Sequence, residues 1–373
     1  MNIISQTTKI YSGENSIESL NKIKNSKILV ISDGFLVKNK MINMVLDNLD
    51  NSNTIVVFDE VKPDPPLSVV SKAMAKMIKI NADYIIGFGG GSAIDTAKGT
   101  IYFLKEAGKL KKDLEFIAIP TTSGTGSEVT NVAVVTDEQS SIKHALVSNE
   151  ILPTIAILDP KTTESLPASI VANTGMDVFT HALEAYVAKG ANDYSDALAE
   201  KSGELVVKYL LKAYTDANDK LAKEKMHMAS NLAGNAFNVA GLGVNHSIAH
   251  QLGGMYHIAH GLANAILLCE VIDFNSKDLN VKEKYVEYSK KIGLSDKNDC
   301  DANAIYKLKL FIKTIMSNMN LPDRISKIDN IDLSKWELEK YIMMANATKD
   351  RCLVGNPKNI KDKDILEILE KIY

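Results

Sequence analysis

Four of the chain's seven histidines, His246, His250, His257 and His260, fall within GVNHSIAHQLGGMYHIAHGLANA, residues 243–265. Imidazoles crowded in this way ask for a metal ion or a proton-transfer site, because imidazole is a common metal ligand and titrates near neutrality. A second stretch, GMDVFTHALEAYV (Gly175–Val187), offers a carboxylate and an imidazole, Asp177 and His181, four residues apart. On a helix such residues lie on one face about a turn apart, so both can reach one divalent cation. Taken singly, a histidine is more often a satisfied core or surface group, and His144 and His227 are read that way. Standing alone, Asp177 and His181 would be an ordinary helix-face pair.

If residues 243–265 formed one unbroken helix, His246 and His260 would share a face but stand roughly 21 Å apart, at about 1.5 Å rise per residue. One ion with nitrogen ligands at about 2.0–2.1 Å cannot hold both. Either His246 pairs with His250, which bare spacing favours slightly, or the chain breaks between His246 and His260. Gly253-Gly254 is where a break is expected, since glycine is poor in a helix interior and suits a turn. The residues alone leave both arrangements open.

The elements that must position these groups follow from the rest of the chain. At 373 residues, two domains are expected, with room for a large core. The hydrophobic share of 45% and charged share of 24% are those of a soluble globular protein, and a net charge of −3 leaves no basic field for nucleic acid. Cys269, Cys300 and Cys352 are too few and scattered for a disulfide framework or a zinc-thiolate site, which suits a reducing cytosol. The opening MNIISQTTKIYSG carries neither a basic start nor a long apolar run, and no 18-residue apolar stretch is free of charge. No signal peptide and no membrane span are therefore expected, and the localisation expected is cytoplasmic.

In the first 160 residues, short apolar runs alternate with helical patterns. Strands are expected at Lys27–Ser32, Thr54–Phe58, Asp83–Ser92, Glu115–Pro120 and Thr154–Pro160, and a hairpin over Val129–Ser148. Helical patterns lie at Phe35–Leu49, Leu67–Ile80 and Ala93–Glu106. This alternation predicts a parallel sheet with helices on both faces, a Rossmann-like α/β domain over residues 1–162. From Leu166 onward the periodicity is almost wholly helical, as in Ala168–Ala188, Tyr194–Tyr214, Asp219–Ala240, Ala263–Asn275 and Ala304–Met319. An all-α domain is expected over residues 163–373, and it carries both histidine-bearing stretches.

Two strand ends look built for phosphate. In GFGGGSAID (Gly87–Asp95), Gly89, Gly90 and Gly91 let the backbone approach an anion, and a helix starting at Ser92 would present free N–H groups. Ser92 reads as the N-cap, with Asp95 three residues on, close to a capping box. The bland alternative is a well-capped strand-to-helix turn. The stretch is neither the dinucleotide fingerprint nor a Walker loop. In PTTSGTGSEVT (Pro120–Thr130), hydroxyls and glycines make a donor-rich loop, with a flexible surface loop as the alternative. Asp33, after the first strand, could accept ribose hydroxyls and repel a 2′-phosphate, or could simply cap the next helix. Ligands of such sheets sit beyond the carboxyl ends of the strands, so a nucleotide is expected in a cleft between the halves with a metal facing it.

GGGSAIDTAK, PTTSGTGSEVT, GMDVFTHALEAYV and NHSIAHQLGGMYHIAHGLANA together resemble the iron-containing alcohol dehydrogenase family, in its order and spacing and over nearly the whole chain. The opening TTKIYSGENSIESL, SDGFLVKN and ANTGMDVFTHALEAYV resemble most a subgroup, the 1-propanol dehydrogenases of propanediol-utilisation microcompartments. The resemblance implies a dehydroquinate synthase-like fold and a metal held by Asp177, His181, His246 and His260, with the chain broken at Gly253-Gly254. It makes the metal Fe(II), where the donor set would suit Zn(II) equally. It makes His250 the candidate proton relay and leaves His257 out; the bland alternative for His250 is a donor that orients a ligand. It implies NAD(H) held by Gly89, Gly90, Gly91, Ser92, Asp95, Thr121 and Thr122, with Asp33, Asp64 and Lys143 as further contacts. Asp64 stands where many relatives have asparagine. The function implied is interconversion of a short-chain primary alcohol and its aldehyde, with propanal reduction first, and 1,3-propanediol or lactaldehyde chemistry as alternatives. A catalytically silent nucleotide- or metal-binding relative would be expected to lack a ligand, and none of the four is missing. The partners implied are a small substrate and a second copy of the chain, as a homodimer or larger, with microcompartment proteins as a further expectation.

Overall fold

The computed structural model describes residues 6–111, 113–139 and 142–373. The chain divides into two compact units, Met1–Ser165 and Leu166–Tyr373.

In the first unit, strands β1 (Lys9–Ser12), β2 (Lys27–Asp33), β3 (Thr54–Val61), β4 (Tyr84–Gly89) and β5 (Glu115–Pro120) precede the antiparallel hairpin β6 (Val132–Asp137) and β7 (Ile142–Val147). Strand β8 (Ile155–Leu158) closes a six-stranded sheet of order β1-β8-β5-β4-β2-β3, parallel throughout. Helices α1 (Gly34–Lys38), α2 (Asn43–Leu46), α3 (Leu67–Ile80) and α4 (Gly91–Glu106) connect the strands. The central strands are unbroken apolar runs because both their faces are covered. Leu29, Ile31 and Ile85 join one core with Ala73 and Met77 of α3 and Ile94 of α4. Ile28, Val30 and Ile86, one residue out of step, join another with Leu36 of α1 and Val45 of α2.

Details of this unit differ from the sequence expectations, among them the strand expected over Asp83–Ser92, which is Tyr84–Gly89. Strand β1 carries no apolar pattern and was not marked by one; it is a short edge strand held by its parallel pairing with β8. The helix expected over Phe35–Leu49 is two short ones, because Lys40 takes a φ of 61° that a continuous helix cannot contain. Helix α4 starts at Gly91 rather than beyond Ser92.

The second unit is helical: α5 (Ala168–Val187), α6 (Asp193–Thr215), α7 (Lys220–Ala240), α8 (Val244–Tyr256), α9 (His260–Asn275), α10 (Leu279–Lys291), α11 (Asp301–Asn318), α12 (Trp336–Ala347) and α13 (Asp362–Ile372). Helix α5 is its axis, with every residue from Gly175 to Val187 buried. An amphipathic stripe would not serve there, which is why the segment is apolar nearly all round. Its Phe179 packs tilted against Phe311 at 5.2 Å and Tyr288 at 6.4 Å between ring centroids. Among the described residues, no helix is long and apolar enough to cross a membrane.

The break between His246 and His260 exists, but not at the glycine pair. Helix α8 runs through Gly253-Gly254 to Tyr256. His257 then takes a φ of 56° as the C-cap, donating its backbone N–H to the Gly253 carbonyl at 3.1 Å, and α9 begins at His260. The left-handed cap ends the helix without needing a glycine at that position. The histidine left out of the ligand set is thus the residue that turns the chain.

Candidate metal centre and cofactor loops

Asp177 and His181 project from one face of α5, a turn apart. Helix α9 is brought against α5 by Gly261: a Cβ there would lie 1.8 Å from the Asn173 carbonyl oxygen, so only glycine permits the approach. The residue before it, His260, arrives beside Asp177, with Nε2 3.5 Å from Oδ1. From the start of α8, His246 places Nε2 3.8 Å from the same oxygen. His181 stacks on His246 with ring centroids 4.6 Å apart, and its Nδ1 is 3.9 Å from Asp177 Oδ2. One ligand atom from each of the four residues lies within 4.8 Å of the others. Donors each about 2.1 Å from a single ion stand roughly 3–4 Å apart, so the cup fits one ion. Its floor is buried, with the His246 side chain 2% exposed, and its open side is His260, at 41%.

Three groups that the sequence reading passed over surround these donors. Glu184, two turns after Asp177 on α5, accepts a hydrogen bond from His246 Nδ1 and, at 2.9 Å, from the Asn245 backbone N–H. Asn264 Nδ2 meets His246 Nε2 while Asn264 Oδ1 accepts from Asn245, so Nε2 is the acceptor, its lone pair faces into the cup and the His246 proton sits on Nδ1 toward Glu184. Asn264 directs its side-chain amide at Asp177 Oδ1 (2.7 Å) and at Nε2 of His246 and His260 (3.2 Å each). A donor placed against three ligand atoms marks where their lone pairs converge. Burial, and then the neighbouring His181, His260 and His250, push the His246 pKa well down, which keeps it a neutral ligand. Burial pushes Glu184 up to about 8 against the pull of the Asn245, His246 and Gly243 N–H groups. A divalent cation in the cup would draw it back down.

His250 lies on the open side, its ring stacked on His260 with centroids 5.4 Å apart. Its Nδ1 is 2.8 Å from Asp350 Oδ2, the third missed group. Burial works against the Asp350 charge, but the His250 bond and the Cys352 N–H outweigh it and hold the carboxyl below its usual range. Cys352 completes a second cluster of possible ligands with His250 and Asp350. Burial and the Asp350 charge push its thiol well up. His227 is a core group, pushed down to about 4 by burial alone.

In the first unit the two expected loops meet. The Thr121 N–H donates to the Gly89 carbonyl at 2.9 Å, and Thr122 lies against Gly90. Gly89 takes a φ of 151°, and a Cβ there would sit 2.7 Å from that of Ala93. This turn delivers the chain to α4 two residues earlier than expected, so Gly90, not Ser92, is the N-cap, and no side chain caps the helix. The capping box fails for the same reason. Both oxygens of Asp95 are taken, one by Ser127 Oγ at 2.6 Å and the other by the Val134 N–H at 2.9 Å. Asp95 therefore ties the second loop and the hairpin to α4 instead of facing a ligand. Lys98, buried at the end of the same motif, donates to the Thr130 carbonyl (2.7 Å) and hydroxyl (3.0 Å) and to the Val132 carbonyl (2.8 Å). Asp33 caps α1 through the Leu36 N–H at 3.0 Å, while its Oδ2 faces the Gly89 turn. Asp64 and Lys143 pair with each other at 2.7 Å.

Residues 7–160 match the family model described as iron-containing alcohol dehydrogenase, and residues 171–373 match that of the Fe-containing alcohol dehydrogenase family, C-terminal. The chain is 41% identical over 373 residues to a 1-propanol dehydrogenase of Citrobacter freundii, covering 100% of both. It is 35% identical to an NADPH-dependent butanol dehydrogenase of Clostridium saccharobutylicum, over 98% of this chain and 96% of that one. A solved 1,3-propanediol oxidoreductase superposes with a TM-score of 0.92 at 31% identity, each chain covered in full.

Proposed function

The chain belongs to the iron-containing alcohol dehydrogenase family and is an oxidoreductase; on that premise we propose that it reduces propanal to 1-propanol with NADH. The observation that carries this reading is the convergence of Asp177, His181, His246 and His260 donors on one cup, open beside His250. The ion we assign there is Fe(II), with Zn(II) the alternative that the same donors accept. A divalent ion in the cup supplies Lewis acidity toward an alcohol or carbonyl oxygen. NADH supplies the hydride, and a proton completes the alcohol: aldehyde, NADH and one proton give alcohol and NAD+.

The chain's own residues do the rest. Asp350 holds the Nδ1 side of His250, so Nε2 is the atom that passes the proton between the reacting oxygen and solvent. Gly89 to Ser92 offer backbone N–H groups at an uncapped helix start for the cofactor's phosphates, beside Thr121 and Thr122. The Oδ2 of Asp33 is the group that would meet a ribose hydroxyl and repel a 2′-phosphate. Asp64 and Lys143, the further cofactor contacts of this reading, pair with each other as an ion pair.

The propanal assignment is supported by the 41% identity to a 1-propanol dehydrogenase. A second reading, 1,3-propanediol chemistry, is favoured by the 0.92 TM-score to the oxidoreductase of that substrate. One methylene or hydroxyl in an apolar pocket changes selectivity by about 1–3 kcal/mol, so rates must decide. We read the protein as a cytoplasmic homodimer or larger assembly; a microcompartment setting rests on the resemblance of its motifs. The test is anaerobic purification, then NADH- and NADPH-linked rates on propanal, acetaldehyde, butanal and 3-hydroxypropanal. The expected result is highest kcat/KM for propanal with NADH. Faster reduction of 3-hydroxypropanal would favour the second reading, and equal or better turnover with NADPH would remove the role given to Asp33.

A further inference from the structure

We propose that Glu184 is the positioning residue of the metal centre: its carboxylate fixes His246 with Nε2 aimed at the ion's place before any ion arrives. The proposal rests on the assignment of the cup as a metal site. Glu184 follows Asp177 by seven residues and His181 by three on α5. One helix face therefore delivers two ligands and the support of a third.

Its two oxygens have separate tasks. Oε1 accepts the Asn245 N–H at the start of α8, and Oε2 accepts His246 Nδ1. The backbone is brought in closely to allow this, since a Cβ on Gly243 would stand 2.9 Å from Oε1. The partners on both sides are N–H groups, the Asn245 amide at Oε1 and the His246 ring at Oε2, so two acceptor oxygens match them, whereas a glutamine would turn its amide hydrogens on one of them. The helix start has a second support, because Asn356 Oδ1 accepts the Val244 N–H at 3.1 Å. Holding the start of α8 is thus shared, whereas the contact at Nδ1 of the His246 ring is made by Glu184.

On the far side of the ring, the Asn264 amide meets Nε2, and its orientation is fixed in turn. Asn245 donates to Asn264 Oδ1 at 2.9 Å, so the amide hydrogens, not the oxygen, face the ligands. Imidazole, carboxylate and amide therefore agree on one tautomer. The ligand set is ready without a proton shift at His246, and a hydrogen-bonded carboxyl on the far nitrogen holds that ligand in its orientation.

The test measures metal affinity of the metal-stripped full chain, by competition of Co(II) or Zn(II) with a chromophoric chelator, together with the visible spectrum of the Co(II) form. Glu184→Gln is expected to weaken affinity about 10- to 100-fold and to shift the Co(II) bands. Asn356→Ala, which removes the other support of α8, is expected to lower the thermal midpoint while leaving affinity within about threefold of wild type. A folded Glu184→Gln protein with unchanged affinity and spectrum would overturn the proposal, as would an equal affinity loss in Asn356→Ala. Should Glu184→Gln not fold, Glu184→Asp keeps the charge but draws it back by a methylene. A smaller affinity loss supports the proposal there, and no loss overturns it. If His260→Ala retains the ion with wild-type affinity, the assignment of the cup itself fails, independently of the Glu184 result.

Discussion

In the loops of the first unit, the groups offered to a ligand are backbone N–H groups of Gly89 to Ser92 and the hydroxyls of neighbouring threonines. In the cup of the second unit they are four named side chains, three of them in contact with a further polar group: His246 with Glu184, and Asp177 and His260 with Asn264; beside the cup, His250 is held by Asp350. The first region is shaped by what is missing, a Cβ at Gly89 or a cap at Gly90. The second is shaped by polar groups buried where each must find a partner. A site made of backbone tolerates changes of side chain and fails when a turn is filled. A site made of buried side chains fails when any one supporting bond is lost, because an orphaned buried polar group costs about 1–3 kcal/mol.

That contrast can be broken or sharpened by substitution. The largest effect is expected on the helical side: Asp350→Asn should lower kcat for aldehyde reduction by up to about 100-fold, because His250, the proposed proton relay, loses the carboxylate that orients it. Metal content should stay unchanged, as measured by metal analysis alongside steady-state rates. Retention of wild-type kcat would mean that His250 needs no oriented partner. A smaller effect is expected in the loops. Gly89→Ala must push its Cβ against Ala93, so KM for NADH should rise about tenfold, with overpacking of order 1–3 kcal/mol behind it, and metal content again unchanged. Loss of metal in that variant would erase the distinction between the two regions. The smallest effect is expected from Asp64→Asn. It breaks an exposed ion pair with Lys143, a kind of contact that contributes little. KM for NADH should change less than about threefold by the same reasoning, and a larger change would mean that the pair itself holds the cofactor.

The sequence made the frame legible where the signal was periodic. The apolar runs at Lys27–Ser32, Thr54–Phe58, Glu115–Pro120 and Thr154–Pro160 announced a parallel sheet, and the helix over Leu67–Ile80 was readable to the residue. Local backbone choices were not readable. Glycine propensity pointed to a break at Gly253-Gly254, yet α8 continues through the pair and the left-handed residue is His257; a propensity of about 1 kcal/mol per glycine is a weak guide to where a helix ends. The same applies to Ser92, displaced from the cap by the turn at Gly89. Of the supporting groups, two had a local signal. Glu184 lies at helical spacing from Asp177 and His181, and Asn264 four residues after His260, so each shares a face with a ligand. Asp350 had none, since it lies 100 residues from His250 and only the fold brings them together.

The most direct test of the account is stoichiometric reconstitution. The wild-type chain is stripped of metal with a chelator under anaerobic conditions and titrated with Fe(II), and both bound metal and propanal reduction are followed, with His260→Ala treated in parallel. Aldehyde reduction is expected to vanish on stripping and return in proportion to one ion per chain, while His260→Ala neither retains the ion nor recovers turnover. Undiminished reduction by the stripped chain, or full turnover of His260→Ala without bound metal, would contradict the claim that Asp177, His181, His246 and His260 hold the ion on which the chemistry depends.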